Sequence, residues 1–298
     1  MNNFYTSMIC NVGITLIGVM SIYLMTGLTG LFSMAQASFM GIGAYCAGLL
    51  AKNFDLPFGV CAICAMLVAG AASLILALPT TRLKRDYIGI ASMGFSSAVI
   101  ALLNNLAALT GGADGLSRIP KKTTIALVWI SDLVLICLLS SFKKSRYGRQ
   151  CMALKTDELA AKAMGINIVR IKIMVFLMAS MIAAYAGTLY AFYTTFVAPS
   201  DFGTPLTIEW MIMVFFGGVG SLTGSVIACI VLNALSELMR AASYYRIIAY
   251  CIIVLLTINF RPQGAVWHVG IQHYRRMQKA VQARERSWGR AVSRKEWI

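Results

Sequence analysis

The chain has 298 residues, 59% of them hydrophobic and 12% charged, with a mean hydropathy of +0.75. Soluble domains carry about 25% charged and roughly 45–50% apolar residues, so this composition excludes a disordered chain, a coiled coil and an ordinary cytosolic enzyme. The formal charge of +15 would suit a nucleic-acid binder, but the cations gather beside long apolar runs, at Arg82, Lys84 and Arg85, across 143–172 and from Arg261 onward. That is the positive-inside pattern of a membrane protein, and no nucleic-acid partner is expected.

Apolar runs occupy residues 4–26, 27–51, 58–79, 87–110, 124–142, 173–196, 207–239 and 244–260. The expected fold is all-α, a polytopic transmembrane helical bundle of about 8–10 membrane segments, some of them discontinuous. The start, Met1-Asn2-Asn3-Phe4, has no basic n-region and no small-residue cleavage site, so the first run is read as a retained anchor. The second run carries Gly27, Gly30, Gly41, Gly43 and Gly48 together with Gln36. The seventh carries Gly217, Gly218, Gly220 and Gly224 and is too long for one straight span. Each pattern has two readings. One is close helix packing through small residues; the other is a helix broken beside a transport path, since hydrocarbon tolerates irregular backbone only where protein or a cavity surrounds it.

The basic loops 80–86 and 142–172 are assigned to the cytoplasm, which puts 111–123 and 197–206 outside. Arg118, Lys121 and Lys122 weaken that contrast. A cytoplasmic tail needs an even number of crossings after Lys172: three result if 207–239 spans once, four if its halves span separately. The first half alone gives roughly 18 Å of helix, which is short, and the crossing number stays open.

Of eight cysteines, all but Cys151 lie in apolar runs, and the only histidines, His268 and His273, are in the tail. The lone Cys61-x-x-Cys64 pair predicts neither a zinc site nor a disulfide framework. No phosphate-cradling G-x-x-x-x-G-K-S/T, no H-E-x-x-H and no G-x-S-x-G occurs. No catalytic residue, metal or cofactor is expected. Among the polar residues inside the runs are Asn104, Asn105, Asp132, Glu209 and Glu237. A carboxylate in hydrocarbon is costly unless paired, which makes it a functional candidate. Glu209 and Glu237 (near Arg240) are read as paired or at headgroup level; Asp132, in mid-span, stands equally for pairing and for function.

The cytoplasmic loop is the most informative segment. Ser145-Arg146-Tyr147-Gly148-Arg149 leads into Thr156-Asp157-Glu158-Leu159-Ala160-Ala161-Lys162-Ala163-Met164-Gly165-Ile166-Asn167. Thr156 is the expected N-cap, Asp157 and Glu158 suit the first turn, and Gly165 suits the C′ position. Leu159, Ala160, Ala163 and Met164 share one stripe. So short a helix needs a docking surface, either the protein's own membrane face or a partner.

These residues resemble the ATPase-coupling loop of ABC importer permeases, with its glutamate, two alanines and later glycine. Further stretches resemble the branched-chain amino-acid permeases of that class: Arg85-Asp86-Tyr87, Thr110-Gly111-Gly112-Ala113-Asp114-Gly115-Leu116 with Ile119-Pro120, Asp201-Phe202-Gly203, Gly217-Gly218-Val219-Gly220-Ser221-Leu222, and Phe260-Arg261-Pro262-Gln263-Gly264. The resemblance runs in order from about residue 27 to 264. Where that family has Gly-Gln and then Ser-Leu-Gly-His in the second span, this chain has Gly30-Leu31 and Ser33-Met34-Ala35-Gln36, which leaves the substrate open.

The resemblance implies the permease subunit of an ATP-binding-cassette importer in a bacterial plasma (inner) membrane, passing branched-chain or other hydrophobic amino acids. Cytosolic ATPase subunits would dock on Asp157, Glu158, Ala160, Ala161 and Gly165 and hydrolyse the ATP, for which this chain is expected to have no site. A second permease subunit, related or identical, would complete the pair. An extracytoplasmic solute-binding protein would meet Gly111, Gly112 and Asp114. The substrate path is assigned to Ser33, Gln36, Asp132, Glu209, Gly217 and Gly218. Residues 1–264 are read as one permease domain with the coupling loop at 143–172. Residues 265–298 are read as a basic cytoplasmic tail, either solvated or bound to anionic membrane lipid at about 1 kcal/mol per basic residue. Two alternatives stand: the same architecture for urea or an amide, a nucleoside or a sugar, and an ion-coupled secondary carrier with Asp132 as its proton site.

Overall fold

The computed structural model describes residues 2–83 and 85–238. The predicted run 244–260, the motif at 260–264, Cys251, His268, His273, Arg240, the tail 265–298 and the Glu237 side chain lie outside the described residues. In chain order the helices are α1 (Asn2–Ile22), α2 (Gln36–Phe54), α3 (Phe58–Thr80), α4 (Arg85–Asn105), α5 (Ala107–Thr110), α6 (Ile125–Lys144), α7 (Arg146–Thr156), α8 (Glu158–Ala163), α9 (Ile168–Thr194), α10 (Thr204–Gly217) and α11 (Leu222–Leu238). A π-helical turn, Tyr23–Leu28, extends α1. Two-residue strands β1 (Leu116–Ser117) and β2 (Phe196–Val197) pair antiparallel. Among the described residues, five helical segments are long and apolar enough to cross a membrane.

The helices form two packed groups. In one, α2 and α3 lie along α9; in the other, α1 gathers α6, α10 and α11, and α1 also packs on α9. The α2–α9 crossing is tight because Gly43 faces the Ala184 backbone and Gly187 faces the Met40 backbone, so a Cβ on either glycine would collide with main chain. Protein rather than lipid surrounds most of α2, which explains how a span can carry Gln36, Ser38 and several glycines.

Both glycine-rich runs are broken. After the π turn, residues 30–35 are irregular; the Leu31 amide donates to Met25 and the Gly30 amide to Thr26, while the Met34 amide reaches Ser92 Oγ of α4 (2.8 Å). The seventh run divides at residues 218–221 into α10 and α11, which fold back on each other with Gly217 against the Gly224 backbone. The seventh run therefore supplies two helices rather than one straight span.

The two chain faces are distinct. Residues 81–83 and Arg85 sit with α8, and Arg85 also bonds α7, on the face called inner for its basic charge. The β1–β2 pair joins loops 111–123 and 197–206 on the opposite face, and there Lys122 bonds Asp55 (3.1 Å) and Lys121 lies 5.3 Å from the centroid of the Tyr193 ring. Two of the three outer cations thus have local partners. The shortness of α10 also has a cause. Leu116 packs at Gly48 of α2 but Phe202 packs at Gly41, about 10 Å further along the helix. The chain after β2 dips inward as a 3-10 turn (Pro199–Phe202) before α10 starts, so α10 covers only the remaining depth.

Candidate functional site

The helix that the sequence marks for docking forms, with its boundary shifted by one residue. Thr156 is not its N-cap: α7 runs through Thr156, whose hydroxyl bonds the Met152 carbonyl (3.1 Å). The cap is Asp157, whose Oδ1 accepts from the Leu159 and Ala160 amides at 2.8 and 3.1 Å. At the other end Gly165 adopts φ +79°, its amide donates to Lys162 and the Ile166 amide to Ala161, the paired bonds of a Schellman motif. Within α8 only Ala161 is buried. Leu159 is 80% exposed and Met164 77% exposed, and Ala160 and Ala163 are exposed beside them. The apolar stripe points away from the protein's own body.

One ion pair ties this helix to the membrane bundle. Glu158 Oε1 accepts from Lys172 Nζ at 2.8 Å, and the Lys172 side chain is only 1% exposed while that of Glu158 is 37% exposed. Lys172 sits in the second turn of α9. Between α8 and the α3–α4 turn lies a groove of 770 Å³ whose lining includes Arg82, Arg85, Glu158, Leu159 and Lys162.

A second junction lies just before the cap. Arg85, opening α4, donates to the Leu154 carbonyl (2.8 Å) and the Lys155 carbonyl (3.2 Å), the free C-terminal acceptors of α7. Lys155 Nζ reaches the Gly27 carbonyl (2.8 Å) and the Val219 carbonyl (3.4 Å), and Lys143 Nζ reaches the Gly220 carbonyl (2.7 Å). Burial, with like-charge repulsion from Lys143 and Arg85, holds the Lys155 ammonium below the usual lysine range.

The path residues fall in two neighbourhoods. Ser33 and Gln36 are buried at the break before α2, where the next amide, Ala37, donates to Thr207 of α10 (3.0 Å). Neither amide atom of Gln36 has a hydrogen-bond partner among the described residues. Trp210 Nε1, one turn beyond Thr207, is equally unpartnered, as is Tyr23 Oη. Asp132 lies elsewhere, on α6 with its carboxylate against Gly13 of α1, and Glu209 is half-buried in the second turn of α10. Asp132 is buried with no hydrogen-bond partner for either oxygen among the described residues. Gly217 and Gly218 are at the inner α10–α11 turn, and Gly218 has φ +95°.

On the outer face Gly111 and Gly112 both take left-handed conformations, φ +79° and +62°, which end α5 and start a 3-10 turn through Asp114. Thr110 Oγ1 braces this corner by donating to the Leu103 carbonyl (2.6 Å) and accepting from the Gly112 amide (3.2 Å). Gly111 and Asp114 are exposed; Gly112 is buried.

Sequence reasoning missed Lys155, Lys172 and the whole of α7. The signal for α7 is there in Gly148, Cys151 and Leu154, which recur at helical spacing and are the buried positions of that helix.

A family model described as "Branched-chain amino acid transport system / permease component" matches residues 4–258. The high-affinity branched-chain amino acid transport system permease protein LivM of Salmonella typhimurium is 33% identical over 272 residues, covering 80% of this chain and 64% of that protein. LivH of the same organism, a permease protein of the same named transport system, is 25% identical over 190 residues, or 62% of this chain and 61% of that one. The ribose import permease protein RbsC of Escherichia coli is 28% identical over 140 residues, 44% and 43% of the two chains. The chain spans just under two thirds of the length of the LivM relatives it matches.

Proposed function

The chain belongs to the family of branched-chain amino acid transport permease components, and we propose from that premise that it is the membrane permease subunit of an ATP-driven importer for branched-chain or other hydrophobic amino acids. It is a multi-pass membrane protein, and a bacterial plasma membrane is its proposed site. The observation that carries the reading is α8, a doubly capped helix on the basic face that turns Leu159, Ala160, Ala163 and Met164 outward. An exposed apolar stripe on so short a helix is stable in water only if something covers it. Cytosolic ATPase subunits are the proposed cover, with Asp157, Glu158, Ala160, Ala161 and Gly165 shaping the docked element, and ATP hydrolysis is assigned to those subunits.

The path is assigned to the two breaks, with Ser33 and Gln36 at one, Gly217 and Gly218 at the other, and Glu209 and Asp132 in the helices that flank α1. A second permease resembling LivH is the proposed partner, and Gly111, Gly112 and Asp114 are the proposed contact for a solute-binding protein. Residues 1–264 make up the proposed permease domain, and 265–298 a cytoplasmic tail. The buried, unpartnered amide of Gln36 can bond the carboxylate or ammonium of an amino acid and equally the polar groups of urea, an amide, a nucleoside or a sugar, so a second reading changes the cargo alone. Co-expression with candidate ATPase, permease and binding-protein subunits, followed by reconstitution, tests both. Leucine uptake that requires ATP inside the compartment joined to the ATPases supports the main reading. Uptake of only polar solutes moves it to the second, and uptake driven by an ion gradient without ATP rejects both.

A further inference from the structure

We infer that Lys155 is the transmission residue of this permease, a cationic clip through which movement of the α7–α8 element reaches both broken helices together. The inference rests on the importer reading. Its observations are geometric. The Lys155 side chain threads the first break, with its Cγ at 3.0 Å from the position a Gly30 Cβ would take, and its ammonium ends between the Gly27 and Val219 carbonyls. The Gly27 carbonyl belongs to the π turn that ends α1, where Leu31 and Gly30 donate to Met25 and Thr26 instead; Val219 lies in the α10–α11 turn. Both are acceptors at helix ends, and a cation is the group that such ends accommodate best.

The connection also runs outward. Arg85 fixes the Lys155 carbonyl from α4, and two residues after Lys155 the chain is Asp157, the cap of α8. A shift of α8 therefore moves a side chain that holds the foot of α1 and the α10–α11 turn at once. Thr207 carries the motion of α10 on to the start of α2 through the Ala37 amide. Lys143 holds the same turn at Gly220 but comes from the end of α6, on the other side of the Ser145 cap, and so anchors that turn rather than driving it.

The test compares Lys155→Met, Lys155→Gln and Lys155→Arg with the native chain in the reconstituted complex, measuring ATPase co-purification, ATP hydrolysed and solute taken up. Expected for Lys155→Met is at least a tenfold loss of solute moved per ATP, with ATPase co-purification within twofold of native, and recovery to within threefold by Lys155→Arg. Lys155→Gln, which keeps a donor without the charge, should fall between and serves if the Met variant does not accumulate. Native coupling in the Met or Gln variant overturns the clip. So does failure of Arg to rescue, or loss of ATPase binding, which would make Lys155 a brace of the loop's fold. Absence of ATPases from the native complex would instead remove the importer reading on which the clip depends.

Discussion

Replacing both Leu159 and Met164 by Ala should release the ATPase subunits while leaving the permease folded. The two side chains are 80% and 77% exposed, so docking can bury most of each. Each truncation removes three heavy atoms; at about 0.8 kcal/mol per buried methylene, and with four-fifths of the surface still to be covered, each contributes about 2 kcal/mol to docking. That is roughly 30-fold in affinity per site and up to about 1,000-fold for the pair if the sites act independently. Alanine is the best helix former and neither residue supports the core, so α8 should persist. Titration of purified ATPase onto the permease in lipid nanodiscs reads the affinity directly, with monodispersity and thermal stability as controls. A double variant that binds within threefold of the native chain would refute the reasoning, because the stripe would then be covered by something else.

Asp132→Asn alters a proposed path residue but not the ATP drive, so uptake should be reduced yet still measurable and ATP-dependent; a carrier using that carboxylate as its proton site would lose uptake entirely. Gly187→Leu should prevent accumulation of folded permease, because the added side chain meets the Met40 backbone; normal yield and monodispersity of that variant would contradict the tight α2–α9 crossing. The Lys155 clip predicts a pH effect. Its folded pKa is lowered, chiefly by burial and then by Lys143 and Arg85, so the folded chain loses that proton at a lower pH than the unfolded chain does. Between the folded pKa and the ordinary lysine value of 10.5 the unfolded state holds more protons, so this group's contribution to stability rises with pH there. Over the same window the charge-assisted bonds to Gly27 and Val219 weaken. Solute moved per ATP should fall as pH rises through that window in the native chain and not in Lys155→Arg, and an equal fall in both would count against the clip.

Much of this was readable from residues. Run lengths marked the long apolar helices α1, α3, α4, α6 and α9, and Asp157, Glu158 and Gly165 marked α8 because caps are local chemistry. Thr156 misled by one position, since a threonine can end one helix as readily as cap the next, and only the extent of α7 decides between them. The glycines at 217, 218 and 224 signalled either packing or a break, and they do both: Gly218 turns the chain and Gly217 lets α11 approach. What stayed hidden was long-range. Lys155 meets Gly27 and Val219 across separations of 128 and 64 residues, and nothing in its own neighbourhood names those carbonyls.

The most direct test is the position of α8 itself. With the native cysteines replaced and Lys162→Cys as the single thiol, a membrane-impermeant maleimide should label inverted vesicles and not right-side-out ones, and added ATPase subunits should protect the site. Labelling from the outer side, or inner-side labelling that the ATPases leave unchanged, would contradict the account.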